Sequence, residues 1–437
     1  MGECSVYADV DGLANALMVL CCSVISWAAI VYLAPKKSAS FSLRLFFSAF
    51  LVRIVCVYAV YYYLVSLGAS GFAFFDDSVY HRQAASLAEG SWYGNLSLGS
   101  IRTPKNPAYL WLNTSLYRML GVDTMVPRLL NACLGALSVV VVFHILRQLV
   151  SWPMAKAGAW LMACLPNAVF WSSLQFKDTI VLFLLALVLL MLLQRRHQVA
   201  HLRILTLLGL LYLMSLFRQD LALALGLCLY YVVLRQMKVR PYAALVFGFV
   251  CIVCVGVLWS MLQGDDMALS WTHYSVYRRE WLRNVTLFQA DVGFMRHLKL
   301  ESWLDVWRIP LSFVAMLLVP LPHVAASTKW GAAAYDLYAL CNLSFVALLP
   351  IMGIGCLEIY KKWRWSFLSF ILLLFPIVLC ALTAALFPGV LRYKYQWTPF
   401  FIIWFACGFG VWKSYLRFLP LAYFGLAGMV VGAILLR

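Results

Sequence analysis

The feature that most constrains this chain is a succession of long apolar runs separated by short polar joints. They lie at residues 13–33, 41–67, 126–146, 157–171, 179–193, 202–217, 221–234, 242–262, 306–326, 335–359, 367–387, 397–412 and 418–436, thirteen in all. Backbone N–H and C=O groups cannot stay bare in hydrocarbon, so a spanning chain must be helical or a closed barrel. A spanning helix takes roughly 20 apolar residues, and runs near that length read as helices.

Composition agrees with a lipid solvent. The 437 residues are 64% hydrophobic and 12% charged, against about 25% charged in soluble domains. That excludes a soluble enzyme, a disordered chain and a collagen-like one. The net charge of +17 raises nucleic acid as a partner, but no basic run exceeds three residues, so no nucleic acid is expected. Basic loops on a membrane protein account for the excess. Nearly all of the 13 cysteines sit inside apolar runs, where they act as small fillers. Cys251 and Cys254 have no partner pair or nearby histidine, and zinc-like spacing is absent elsewhere.

Charge sets the expected topology. Glu3, Asp9 and Asp11 precede the first run, where a signal peptide would be basic, so an outside N-terminus without a cleaved leader is expected. Lys36 and Lys37 then fall inside, and Arg44 and Arg53 sit towards the inner part of the second run, able to snorkel. The run 306–326 contains Pro310, Pro320 and Pro322, which break helices. Read as re-entrant or interfacial, it leaves twelve crossings. Fifteen basic residues and no acid then line the inner loops, while the outer segments hold sixteen acids and sixteen basics. One all-helical polytopic domain covers residues 1–437, with outer loops at 68–125 and 263–305.

Chemistry is expected on the outer face. In the first loop, Tyr80, Ala84, Leu87 and Ala88 recur at helical spacing, which predicts an amphipathic helix with Asp77 near its N-cap. Asp77 or Ser78 can simply cap that helix. Alternatively Asp76 or Asp77 faces a cavity as general base, with His81 and Arg82 as neighbours or interface anchors. Lys177 and Asp178 join two runs and read either as a capped turn or as a phosphate contact. Phe217-Arg218-Gln219-Asp220 repeats that pattern. Arg392 and Lys394, flanked by Tyr and Trp, suit either a phosphate at headgroup level or an interface belt. No Walker loop, GxSxG elbow or HExxH motif is present, and the histidines have no ligand spacing.

The order of these features resembles the GT-C-fold integral-membrane glycosyltransferases that use lipid-phosphate sugars, namely bacterial relatives of the protein mannosyltransferases and aminoarabinose lipid A transferases. The resemblance rests on Asp77-x-x-Tyr80-His81, the Arg-Leu-Leu-x-Ala-x-Leu-Gly-Ala-Leu run from Arg128 to Leu137, Pro166…Ser172…Lys177-Asp178, Pro320-Leu321-Pro322 and Arg392-x-Lys394. It implies a GT-C-like fold of about 12 (11–13) spans, with amphipathic helices in two larger outer loops. It makes Asp77 the base, with Asp76 beside it. It assigns the lipid phosphate to Lys177, Arg218, Arg392 and Lys394. Tyr80, His81, Arg102, Lys105 and Asp178 join them as substrate-binding candidates.

The implied reaction is an inverting transfer from a polyprenyl-phosphate sugar to a lipid, polysaccharide or protein hydroxyl, at the periplasmic face of a bacterial inner membrane. No cofactor is required and no metal ligand is assigned; a divalent cation, as in metal-using relatives, is the open alternative. A polymerase or ligase using lipid pyrophosphate is the competing enzyme, with Arg278, Arg279, Arg283, Arg296 and Lys299 as its candidate cations. A transporter or flippase would show repeats and mid-membrane charges, and a purely structural membrane subunit is the remaining class.

Overall fold

The structure is a computed structural model that describes residues 12–67, 71–90, 106–194, 200–219, 221–226, 230, 307–318, 332–364, 366–386 and 393–435. Every regular element among them is helical. The first two runs form Gly12–Leu33 (α1) and Lys36–Ser66 (α2). Pro35 separates them, because it cannot donate to the first helix yet fits before the first turn of the second. The loop that follows carries Phe75–Ala88 (α3) and Pro107–Leu120 (α4), and Met125–Leu149 (α5) begins the bundle core.

At 25 residues, α5 is about 37 Å long, enough to cross hydrocarbon of about 30 Å. It packs against α1 and α2 and is buried over most of its length. By contrast α1 turns Leu13, Leu20 and Ile25 outwards. An apolar helix that presents leucines outwards has lipid as its solvent, so the chain is an integral membrane protein.

Three of the described helices, α1, α2 and α5, are long and apolar enough to cross a bilayer. Several expected spans are instead interrupted, each for a local reason. The run 157–171 is two helices, Trp152–Cys164 (α6) and Pro166–Ser172 (α7). Pro166 forces Leu165 to ψ 113, outside the helical region. The next helices, Asp178–Leu193 (α8) and Ala200–Phe217 (α9), follow the runs closely, and residues 221–226 are helical. The rest of that run, the run 242–262 and the loop 263–305 lie outside the described residues.

In the proline-rich run 306–326 the described helix is Ile309–Leu318 (α10), ten residues or about 15 Å. The run 335–359 becomes Ala332–Val346 (α11) and Leu349–Trp363 (α12), bent by 45° ahead of Pro350. The run 367–387 contains a π turn at Phe370–Leu374 before Phe375–Leu386 (α13). Pro376 there lacks the N–H that would bond back to Leu372, a common cause of such widening. Tyr393–Gln396 (α14), Thr398–Phe409 (α15) and Leu419–Leu435 (α16) close the chain. α12 and α15 cross backbone to backbone: a Cβ on Gly355 would lie 1.7 Å from Trp404 O, and one on Gly408 would lie 2.0 Å from Ile351 O. Small residues permit such closeness in lipid.

Arg53 does not snorkel. It is 1% exposed and donates to Ala163 O at 3.1 Å and Met162 O at 3.4 Å. The Pro166 break leaves those carbonyls without intrahelical donors, and Arg53 satisfies them. Gly135 makes room for it, since a Cβ there would lie 2.9 Å from Arg53 Nε. Arg44 is exposed, as expected.

Candidate active site

The ends of α2, α5, α7, α8 and α15 nearest Asp77 carry a buried polar layer, called here the polar end. α3 docks onto it. Phe74 is its N-cap residue and stacks on Trp171, ring centres 5.3 Å apart and 12° from parallel. Asp76 and Asp77 therefore fall in the first turn rather than at the cap, a position where the helix dipole favours negative charge. Tyr80 and Ala84 are buried and Leu87 and Ala88 half-buried, so the amphipathic helix packs its apolar face on Leu110 and Tyr117 of α4.

Asp77 turns into the protein. Its Oδ2 accepts from Arg128 Nη2 at 3.0 Å, and both side chains are completely buried. Ala73 N–H reaches the same oxygen at 3.4 Å, and Gln175 N–H reaches Oδ1 at 3.1 Å. Burial raises the proton affinity of Asp77 above the usual carboxylate range, while the Arg128 charge and the two backbone donors pull the other way. Asp76 is only half-buried. Arg128 also donates to Gly71 O at 3.0 Å. Gly71 sits at φ +77 with the Tyr61 ring where a Cβ would be, so another residue there would be strained and crowded.

Gln175 links Asp77 to a second chain of contacts. Its Nε2 donates to Tyr117 Oη at 3.2 Å, and Tyr117 Oη lies 2.8 Å from His81 Nδ1. Tyr117 Oη accepts from Gln175 and can donate its own proton to Nδ1, an arrangement that leaves the imidazole proton on Nε2. Burial, then the Arg128 and Arg82 charges, push His81 down to about 4, so it is neutral near pH 7. Burial likewise raises Tyr117 and Tyr109 above the usual phenol range.

The 172–178 connection brings a cation into the same layer. Asn131, one turn after Arg128 on α5, donates to Leu174 O at 2.6 Å and Phe176 O at 2.9 Å, which fixes the connection. Lys177 precedes α8 and is half-buried. Its Nζ donates to Asn106 Oδ1 and, at 3.0 Å, to Phe217 O beside half-buried Arg218. Asn106, at φ 56, also donates to Tyr80 Oη at 2.6 Å. Buried Asp178 accepts from Gln396. Two residues back, buried Lys394 donates to Asn342 Oδ1 at 2.6 Å and Leu317 O at 3.3 Å, with its Nζ 5.0 Å from the Phe345 ring centre. Desolvation lowers Lys394 to about 7.

The structure thus brings Asp76, Asp77, Tyr80, His81, Lys177, Asp178, Arg218 and Lys394 to one end of the bundle. Arg102, Lys105 and Arg392 lie outside the described residues. Sequence reasoning gave no site role to Arg128, Gln175, Tyr117, Asn106, Asn131, Asn342 or Gln396. Arg128, Asn131 and Asn342 carried a signal, as polar residues within otherwise apolar helices; the others stand in or beside the polar joints between apolar runs, where polar side chains are ordinary. Among the described residues no group of three or more His, Cys, Asp or Glu could hold a metal ion. The donors around Asp77 are Arg128 and backbone N–H groups, a set that does not fit a cation.

No known family model matches the chain, and no curated protein does. Among solved structures the chain is similar to the crystal structure of ArnT from Cupriavidus metallidurans bound to undecaprenyl phosphate, at 15% identity and a TM-score of 0.38, over 88% of this chain and 80% of that one.

Proposed function

We propose that this protein transfers a sugar from a polyprenyl-phosphate donor to an acceptor hydroxyl at its polar end, on the outer, periplasmic face of the membrane. The observation that carries the reading is the meeting of the Asp76–Asp77 turn with the Lys177–Asp178 turn through Gln175, at the ends of apolar helices. It brings carboxylates and a cation to one end of the bundle.

The chemistry asks for little else. The donor already carries a phosphate leaving group, so no general acid is needed at the departing oxygen. The acceptor oxygen forms its bond to the anomeric carbon as the carbon–phosphate-oxygen bond breaks, with inversion. Its proton passes to Asp77, whose burial favours protonation, and the polyprenyl phosphate leaves with its charge facing Lys177. Lys394 and Arg218 stand at the same end to hold that phosphate, and Arg392 joins them on sequence order. Arg128 and the Gln175 N–H aim Asp77, and an acceptor hydroxyl reaches Oδ2 by replacing the long Ala73 contact of 3.4 Å. Asp76 is the half-buried neighbour of Asp77.

The test is turnover by purified protein in nanodiscs, using labelled polyprenyl-monophosphate sugars and, separately, pyrophosphate-linked donors. Monophosphate donors are expected to be consumed, and Asp77→Asn is expected to abolish turnover while membrane insertion and donor binding persist, with a lowered melting temperature because Arg128 loses its counter-charge. Full activity in Asp77→Asn would sink the base assignment. Turnover of pyrophosphate donors alone would replace the reading with a polymerase or ligase.

A further inference from the structure

At the other end of the bundle, the short turn between α5 and α6 gathers cations on one aromatic platform. Arg147, in the last turn of α5, holds its guanidinium carbon 4.5 Å from the Trp152 ring centre. Lys156, in the second turn of α6, holds Nζ 5.1 Å from the same ring and 5.2 Å from Phe41. Lys362, at the end of α12, reaches Leu149 O at 3.3 Å and brings a third cation to the turn. Arg147, Trp152 and Lys362 are exposed and Lys156 is half-buried. Among the described residues none of the three cations meets a carboxylate; the nearby Glu358 is bound to Lys361 and Tyr415 at 3.1 and 2.7 Å.

Helix dipoles explain only part of this. Arg147 and Lys362 stand at helix C-termini, which favour cations, but Lys156 stands near a helix N-terminus, which does not. Three like charges around one turn repel unless an anion lies among them. α2 and α5 are of crossing length, so their ends lie at headgroup level, and Trp beside Lys and Arg is the usual pattern there. We propose that the α5–α6 turn is a docking site for the phosphate headgroup of an anionic phospholipid. Arg147, Lys156 and Lys362 hold the phosphate, and Trp152 and Phe41 lie against the glycerol and first acyl carbons. A soluble anion would have no use for that exposed aromatic platform, and charge complementarity selects anionic over zwitterionic lipid. The site stands apart from the polar end and does not depend on the reaction proposed there.

The test is lipid counting by native mass spectrometry on full-length delipidated protein, offered equal amounts of phosphatidylglycerol and phosphatidylcholine. Each basic residue near a headgroup contributes roughly a fivefold preference, so phosphatidylglycerol is expected to be retained by about tenfold or more. Arg147→Gln/Lys156→Gln/Lys362→Gln should bring the two lipids near parity, while the charge-preserving Arg147→Lys/Lys156→Arg/Lys362→Arg should keep the preference. Equal retention by the natural protein, or an undiminished preference in the glutamine variant, would overturn the site. Should the glutamine variant not purify as a folded species, the natural protein decides alone: its preference should shrink at about 0.5 M NaCl, where screening is strong, and a salt-independent preference overturns the proposal. Inorganic phosphate, matched for ionic strength with chloride, should displace no phosphatidylglycerol; displacement would assign the turn to a soluble anion instead.

Discussion

The two ends of the bundle handle charge in opposite ways. At the polar end several charged groups are buried, or in Lys177 half-buried, and matched: Asp77 with Arg128, Asp178 with Gln396, Lys177 with Asn106 and Lys394 with Asn342. At the basic end Arg147, Lys362, Lys413 and Arg417 are exposed, and the described acid there, Glu358, is bound to Lys361 and Tyr415. A solvated charge needs no fixed partner, whereas a buried one must have hydrogen bonds on every side. The polar end therefore holds its charges on fixed partners, and the basic end leaves its charges open to solvent.

The largest expected contrast comes from removing one charge at each end. Arg128→Gln leaves Asp77 buried without its counter-charge and should cost about 3–5 kcal/mol, read as a drop in detergent melting temperature. Asp77→Asn/Arg128→Gln should recover much of that loss, since no lone charge is left. Additive losses in the double variant would mean that the two do not act as a pair.

The next effect is a pH dependence confined to the polar end. Lys394 titrates near 7 when folded and 10.5 when unfolded. Between those values the unfolded chain binds more protons, so stability should climb as pH rises through that window. Lys394→Met should flatten the climb. A profile with the same slope in both proteins would show that Lys394 is not the titrating group.

His81 acts on the acid side. Its folded value of about 4 lies below the usual 6.5, so stability should fall as pH drops from 6.5 towards 4 and stay level above. Tyr117→Phe removes the hydroxyl that serves both His81 and Gln175 and should cost about 1–2 kcal/mol. In turnover assays the same change should lower kcat more than it raises KM, because Gln175 also holds Asp77. An unchanged kcat would separate that chain of contacts from the site.

The smallest effect is expected at the basic end. Arg147→Gln or Lys156→Gln should shift stability by less than about 0.5 kcal/mol, although the lipid preference changes. A loss comparable to that of Arg128→Gln would erase the distinction between the ends.

Much of this division was legible in the residues. Asp76, Asp77, Lys177, Asp178 and Lys394 stood out as polar side chains at the joints of apolar runs, and they do share one end. The basic loops expected on the opposite face agree with the placement of Arg147, Lys156, Arg203, Lys361 and Lys362. Glu358 escaped the charge partition because it stands inside an apolar run, although it lies at the basic end. Arg53 was misread for a related reason: position along a helix gives depth but not which neighbours leave carbonyls bare. The helix irregularities at Leu165, Ala347 and Phe370 each precede a proline visible in the chain, yet a proline marks a weak point without saying whether the chain bends there or crosses.

The sequence alone determined that this protein is helical and lives in lipid, because backbone groups must be satisfied within each apolar run. It also determined which residues are costly to bury. Only the tertiary structure decided who satisfies them: Arg128 meeting Asp77 across 51 positions, Gln396 meeting Asp178 across 218, and Arg53 meeting the carbonyls freed by Pro166. A hydrogen bond is felt over about 3 Å, and nothing in a local pattern of residues fixes which distant segment will come that close.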